Sequence, residues 1–184
     1  MRSFRCLAYM AVALVPLVTF SGLSQEPTKP PAPEWKPFQE FNFLIGSWSG
    51  TAESGGRIGG RVGRFSMEMG GNYLVHRGNT IFTAQNQRPE ESIEEIGYYY
   101  YDRDKRKYAA QYFYSTGIVG TYDVEFGADG SIRVLSNNLV NYDSGAKTRL
   151  SFKKSSDTEM TVQLDIAPAG KDYVGFLSSK MTKK

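Results

Sequence analysis

From Ile45 onward, apolar and polar residues alternate with a period of two through almost every segment of the chain. This period places successive side chains on opposite faces of a β-strand, so it predicts strands that are each buried on one face. Short stretches rich in glycine, asparagine and aspartate separate the segments, as expected of tight turns. The predicted strands are residues 48–54, 60–69, 72–82, 93–101, 107–115, 119–126, 131–136, 147–153, 159–166 and 173–181. No long helical pattern interrupts them, which argues against a βαβ fold and favours a single all-β, up-and-down antiparallel barrel of about ten strands, or alternatively a β-sandwich.

The sequence Gly46-Ser47-Trp48-Ser49-Gly50 opens this run of strands. It predicts that the Trp48 indole plugs one end of the barrel, while Gly46 and Gly50 let the chain pass close beneath it. Apolar side chains recur at helical spacing just before this motif, at Trp35, Phe38, Phe41, Leu44 and Ile45. The spacing predicts a short N-terminal helical plug across that end of the barrel. A closed container of this kind makes its interior the first place to look for function.

Residues 1–24 have the pattern of a secretory signal peptide. Arg2 and Arg5 precede an apolar run over residues 7–18, and small residues follow. The run is too short to span a membrane as a helix, so cleavage is expected near Ser24, and the protein is expected to be periplasmic or secreted. The alternative is an uncleaved membrane anchor.

The mature chain is expected to consist of a proline-rich spacer, residues 25–37, and one barrel domain, residues 38–184. The only cysteine, Cys6, lies in the leader, so the mature domain has no thiol for a disulfide, a thiolate metal site or a nucleophile. Removing the leader lowers the net charge from +3 to +1, because it carries two arginines and no carboxylates. Without a basic block, nucleic acid is not an expected partner, and no transmembrane segment is expected after signal removal.

Aromatic side chains are concentrated on the central strands. Tyr108, Tyr112 and Tyr114 share one face of a predicted strand, and Tyr122 begins a similar stripe on the next. One interpretation is that large aromatic residues simply suit a pleated surface. The other is that phenols line a cavity, where they stack on a ligand and form hydrogen bonds with it. The candidate tyrosines are Tyr99, Tyr108, Tyr112, Tyr114 and Tyr122.

Three segments, in matching order, resemble the calycin-like barrels related to nitrobindin and the fatty-acid-binding proteins. Residues 43–50 (FLIGSWSG) resemble the opening of these domains. Residues 69–75 (MGGNYLV) and 97–102 (GYYYYD) resemble two hairpins of a bacterial branch of exported proteins of unknown function. The resemblance extends over about residues 41–184 and implies a ten-stranded barrel with an internal cavity.

In nitrobindin the resemblance further implies ferric haem, held by a histidine near the C-terminal end. This chain departs from that pattern, because no histidine follows His76. The haem ligand therefore has no counterpart here, and no haem or other cofactor is expected.

His76 is the only histidine, and it shares a strand face with Leu74. A cavity-facing imidazole could bind a metal or act as a general base. It has no histidine or cysteine partner for a zinc site, so no metal site is predicted. The alternative is a hydrogen-bonded surface or rim residue.

Charged residues near the first hairpins offer further candidates. Arg61 and Arg77 lie in adjacent predicted strands, and barrels that bind fatty acids often pair a buried cation with the ligand carboxylate. The alternative is a row of exposed arginines. Four glutamates, Glu90, Glu91, Glu94 and Glu95, flank a proline before a strand and are interpreted as a solvated loop.

The combined prediction is an exported, non-enzymatic barrel that binds a small apolar or amphipathic molecule. The expected ligand contacts are His76, Arg61, Arg77, Tyr99, Tyr108, Tyr112, Tyr114 and Tyr122. No catalytic residue is assigned. One alternative is a hydrolase or isomerase that uses His76 as its base. Another is a structural barrel with a filled core, acting through its surface in a cell-envelope complex. Ligand identity and oligomeric state are left open.

Overall fold

The chain forms a closed barrel of ten antiparallel strands. The computed structural model describes residues 38–85 and 87–184. Each strand pairs with the next along the chain, and the last strand pairs with the first, which closes the barrel. The strands are β1 (Gly46–Ser54), β2 (Arg57–Glu68), β3 (Tyr73–Phe82), β4 (Glu91–Asp102), β5 (Lys107–Tyr114), β6 (Val119–Phe126), β7 (Ile132–Val140), β8 (Lys147–Lys154), β9 (Glu159–Ala167) and β10 (Val174–Lys183).

This architecture confirms the predicted all-β, calycin-like barrel, and the sandwich alternative is wrong. The strand positions also agree closely with the period-two pattern. The largest differences are that β7 extends to Val140 rather than ending at residue 136, and that β2 begins at Arg57 rather than at residue 60. It can begin so early because Gly55 and Gly56 complete a tight turn with φ of 55° and 74°, a conformation that glycine adopts without a Cβ clash.

The predicted leader and spacer, residues 1–37, lie outside the described residues. Within the described part of the chain, no helix combines the length and apolar character needed to cross a membrane.

Residues 38–45 close one end of the barrel. Gln39–Phe41 form a single 3-10 turn, and Phe38, Phe41 and Leu44 are buried. The Phe41 ring meets three barrel rings edge-on, at centroid distances of 5.6, 5.1 and 5.3 Å to Tyr99, Tyr108 and Phe126. The predicted plug is therefore one turn in the described residues, and Trp35 lies outside them.

Trp48 lies directly beneath this turn. Its indole Nε1 donates a buried hydrogen bond of 2.7 Å to the backbone carbonyl of Leu44. Two residues later on β1, a Cβ on Gly50 would lie 1.8 Å from the Lys180 carbonyl oxygen. Only glycine fits there, where β1 meets β10. The other end of the barrel carries a small apolar cluster of Ala52, Phe82 and Leu177, with Leu164 packed against it.

Candidate functional site

Inward-facing glycines leave room for large polar side chains in the middle of the barrel. These glycines are Gly63 on β2, Gly78 on β3, Gly97 on β4 and Gly120 on β6. A Cβ on Gly97 would lie 2.4 Å from the Tyr112 ring, and a Cβ on Gly78 would lie 2.6 Å from Oε1 of Glu95. The Tyr112 and Glu95 side chains therefore rest directly on backbone, which lets bulky groups occupy the barrel interior.

These side chains belong to a buried group that we name the central polar cluster. Its members are Arg61, His76, Thr80, Glu95, Tyr99 and Tyr112. The Arg61 side chain is 6% exposed and that of Glu95 is 8% exposed. The Arg61 guanidinium donates to the Glu95 carboxylate through Nη2 and to the Thr80 hydroxyl through Nη1, the latter at 2.9 Å. Residues from β2, β3 and β4 thus hold one ion pair inside the barrel.

A chain of neutral hydrogen bonds continues from this ion pair into β5. The His76 Nδ1 atom lies 3.2 Å from the Tyr112 hydroxyl, which in turn lies 2.6 Å from the Tyr99 hydroxyl. Nδ1 is also 4.0 Å from Oε1 of Glu95. One face of the imidazole stacks on Phe65, with ring centroids 4.2 Å apart and planes inclined by 11°. His76 is therefore fixed from several sides.

Burial decides the protonation of these groups. It lowers the pKa of His76 well below its usual value of 6.5, and the nearby charge of Arg61 lowers it further. The imidazole is therefore neutral at neutral pH. Burial likewise raises the pKa of Tyr99 and Tyr112 far above 10, so both phenols keep their protons. The ion pair of Arg61 with Glu95 supplies the charge of the cluster.

The sequence-predicted tyrosines all face the interior, at two levels. Tyr114 and Tyr122 extend the central polar cluster, because their rings lie 5.9 and 5.7 Å from that of Tyr112. Tyr108 lies instead at the plugged end, against Phe38 and Phe41. Burial raises the pKa of Tyr108 to about 12.

Arg77 lies apart from the other predicted ligand contacts. Its side chain is 49% exposed on the outer face of β3, where Nη1 donates a 2.5 Å hydrogen bond to Glu68. Strand alternation explains the separation, because Arg77 follows the inward-facing His76 directly. Arg77 and Arg61 therefore occupy opposite sides of the barrel wall.

Sequence reasoning missed three polar groups. The interpretation of Glu91, Glu94 and Glu95 as a solvated loop is wrong, because β4 begins at Glu91. Strand alternation could have located Glu95, since counting back in steps of two from Tyr99 places it on the inward face. Thr80 lies on the inward face of β3 by the same count from His76.

The third missed group is Ser179 on β10. Ser179 is 1% exposed and lies in register with Ala52 on β1 and Val162 on β9. Its hydroxyl oxygen is buried and has no hydrogen-bond partner in the described part of the chain. A buried hydroxyl in an apolar surrounding is costly unless it is hydrogen-bonded, so Ser179 calls for an explanation.

A concavity of about 750 Å³ lies on the outside of the barrel over β2–β5. Its lining includes Val62 and Phe113, which are 51% and 40% exposed, and Asn79 between them. The lining also includes Glu95 of the central polar cluster and the neighbouring Tyr114. No group of three or more potential metal ligands of the His, Cys, Asp or Glu type occurs in residues 38–85 and 87–184.

His76 does not fit the role of a haem ligand. Iron coordination needs an imidazole nitrogen aimed at space for the porphyrin. Nδ1 is engaged by Tyr112, and Nε2 lies only 3.1 Å from the position of a Cβ on Gly63, close to the β2 backbone. The stacked Phe65 ring covers one face of the imidazole. Nδ1 and one ring face are therefore in contact with protein side chains, and Nε2 faces the β2 backbone.

No protein-family profile matches the chain, and no curated protein matches it. Among solved structures, it is similar to Rv2717c from M. tuberculosis, with a TM-score of 0.57 and 15% identity over 82% of this chain and 98% of that chain. It is also similar to the S-type phycobiliprotein lyase CPES from Guillardia theta, with a TM-score of 0.48 and 11% identity over 82% of this chain and 94% of the lyase. At 15% identity, the likeness to Rv2717c supports the calycin-like fold and transfers no activity.

Proposed function

We propose that this protein is an exported, non-enzymatic barrel that binds a small, largely apolar molecule with a polar end in its interior. The observation that carries the proposal is the Ser179 hydroxyl, which is buried on the inward face of β10 without a partner in the described residues. Leaving a buried hydroxyl unpaired costs roughly 1–3 kcal/mol. A ligand group that forms a hydrogen bond with Ser179 recovers this free energy.

The surrounding side chains support a ligand that is mostly apolar. Ala52 and Val162 flank Ser179, and Leu177 precedes it on the same face. Elsewhere in the interior, on β5 and β6, the phenol rings of Tyr114 and Tyr122 add amphipathic surface, which packs against apolar groups and forms hydrogen bonds at its rim. Small-molecule sites commonly combine such an apolar lining with a few fixed polar groups.

The central polar cluster is a second line of support. A buried ion pair adds little net stability, because desolvation of the two charges offsets their attraction. The cluster also contains a histidine whose pKa is strongly lowered by burial. Perturbed, buried ionisable groups occur preferentially at functional sites.

Binding of a neutral apolar dye, N-phenyl-1-naphthylamine, tests the interior site. The wild-type protein is expected to enhance the dye fluorescence at one site per chain. Ser179→Leu fills the interior beside Ala52 and is expected to weaken dye binding about tenfold or more. Ser178→Leu is the matched control, because this neighbouring serine points to the other face of β10. Circular dichroism verifies that both variants are folded. Absence of dye binding, or equal binding by both variants, would refute the interior site.

Export and the natural ligand need separate measurements. N-terminal sequencing of the protein from its own host is expected to show a mature N-terminus within a few residues of the position after Ser24. Native mass spectrometry of the same material is expected to show a persistent non-protein mass. An intact N-terminus on a cytoplasmic protein would contradict export but leave the binding proposal standing.

A second candidate is a cavity enzyme in which His76 acts as a general base. The observation in its favour is the neutral imidazole, which lies 3.2 Å from Tyr112 and 4.0 Å from Glu95. A hydrolase or isomerase of this kind requires that His76→Gln abolish a measured turnover while dye binding is retained. Turnover that survives the substitution excludes His76 as the base.

A further inference from the structure

We propose that the polar end of the bound molecule is uncharged, such as an alcohol, a ketone or an amide, and that carboxylates are rejected. This inference rests on the binding function proposed above and names the chemical class of its ligand. It follows from the way in which the barrel neutralises its own buried charges.

Arg61 already has its anion inside the protein. Its guanidinium is bonded to the Glu95 carboxylate and to the Thr80 hydroxyl, and both the arginine and the glutamate side chains are less than 10% exposed. A barrel that uses a buried arginine to hold a ligand carboxylate must present that arginine without a partner, because two anions would otherwise compete for one cation. Arg61 is therefore not free to bind a ligand carboxylate.

The second buried arginine is compensated in the same way. Arg57, near the opposite end of the barrel from the plug, donates a 2.9 Å hydrogen bond to Glu91 and further bonds to the carbonyls of Phe82 and Pro89. The other ionisable members of the central polar cluster, His76, Tyr99 and Tyr112, are neutral at neutral pH. The charges that the two buried arginines bring are thus balanced by Glu95 and Glu91.

A ligand carboxylate would add an uncompensated negative charge to this balanced interior. Its desolvation would be costly, and its interaction with the Glu95 carboxylate would be repulsive. A hydroxyl, carbonyl or amide carries no such penalty. It can accept a hydrogen bond from Ser179, while its apolar chain contacts the surrounding aliphatic side chains.

Competition between head groups on a common chain tests this inference. 1-Dodecanol and dodecanoate are each titrated at pH 7.5 against N-phenyl-1-naphthylamine bound to the full mature protein. Dodecanol is expected to displace half of the dye at no more than about one tenth of the concentration that dodecanoate needs. Equal potency of the two, or tighter binding of dodecanoate, would overturn the inference while leaving the proposed binding function intact. Failure of both compounds and of the dye to bind would overturn both.

Substitution of Glu95 sharpens the test. Glu95→Gln frees the Arg61 charge, so the preference is expected to shift toward dodecanoate by about tenfold or more relative to the wild type. Glu68→Gln is the matched control, because Glu68 pairs with Arg77 on the outer face and is expected to leave the preference unchanged. An unchanged preference in folded Glu95→Gln would contradict the role of Glu95. If that variant does not fold, the wild-type comparison alone decides.

Discussion

The plugged end of the barrel and the central polar cluster both bury large aromatic side chains, but they do so with different chemistry. At the plugged end, Phe38, Phe41 and Tyr108 pack edge against ring, and the Trp48 indole donates a buried hydrogen bond to the Leu44 carbonyl. In the central polar cluster, an ion pair, an imidazole and two phenols are buried together instead. Apolar packing stabilises a fold directly, whereas buried charge is stabilising only while its partner is present. The first region is thus suited to holding the barrel closed, and the second keeps the buried charges of the interior balanced.

The largest expected effect comes from removing one charge of the ion pair. Glu95→Leu leaves the Arg61 guanidinium buried without its carboxylate, which is expected to cost about 3–5 kcal/mol of the free energy of unfolding. The double variant Arg61→Met, Glu95→Leu removes both charges and is expected to recover most of that loss. Urea denaturation measures both variants. A double variant as unstable as the single one would show that the two charges are not coupled.

At the plugged end, Phe41→Ala is expected to cost about 3 kcal/mol, because the variant loses ring packing and leaves a cavity. No second substitution should rescue it, in contrast to the ion pair, since no buried partner is left unpaired. Gln39→Ala, in the same 3-10 turn but exposed, is the control. A loss below about 1 kcal/mol in urea denaturation would mean that the turn contributes little to closing the barrel.

Gly97→Ala tests the space beneath the central polar cluster. The added methyl group would lie 2.4 Å from the Tyr112 ring, so the ring must move and its hydrogen bonds to His76 and Tyr99 must change. Overpacking of this kind is expected to cost about 2 kcal/mol. The control is Gly60→Ala, for which no atom lies within 4 Å of the new Cβ. Equal stability of the two variants, measured by thermal unfolding, would contradict the close contact.

The sequence pattern predicted most of the fold, because strand alternation and turn composition are local signals. Alternation from Tyr99 and from His76 also sorts individual side chains by face, which is enough to place Arg77 outside. It could not pair Arg61 with Glu95. These residues are 34 positions apart on β2 and β4, and their meeting depends on the register across the intervening β3.

The Ser179 hydroxyl illustrates the same limit. Alternation places Ser179 inside, but whether its oxygen finds a partner depends on barrel closure between β10 and β1. A further residue, Phe176, is inserted in β10 between Gly175 and Leu177, where the register with β9 shifts. A shift of one residue exchanges the inward and outward faces of a strand, so these irregularities decide which groups face the interior.

The pH dependence of the unfolding free energy tests whether His76 is neutral in the folded protein. The pKa of His76 is lowered in the folded state, so below pH about 6.5 the unfolded chain takes up a proton that the folded chain does not. Stability is therefore expected to fall as the pH drops below this value, by up to about 1.4 kcal/mol per pH unit. His76→Gln is expected to flatten this slope between pH 6.5 and 5. Urea denaturation across that range checks it, and equal slopes would show that His76 titrates normally.

The smallest effect on stability is expected for substitution of Arg77. Arg77 and Arg61 are both arginines, but Arg77 lies on the outer face of the barrel wall and Arg61 on the inner face. The ion pair of Arg77 with Glu68 is solvent-exposed, and exposed pairs contribute little because water and salt screen them. Arg77→Ala is expected to change the Tm by less than about 2 °C and to leave dye binding intact. Raising the salt concentration to about 0.5 M should erase even this difference, while the instability of Arg61→Ala should persist, because a buried charge is screened far less. If Arg77→Ala were as unstable as Arg61→Ala in high salt, the contrast between the two faces of the barrel wall would be wrong.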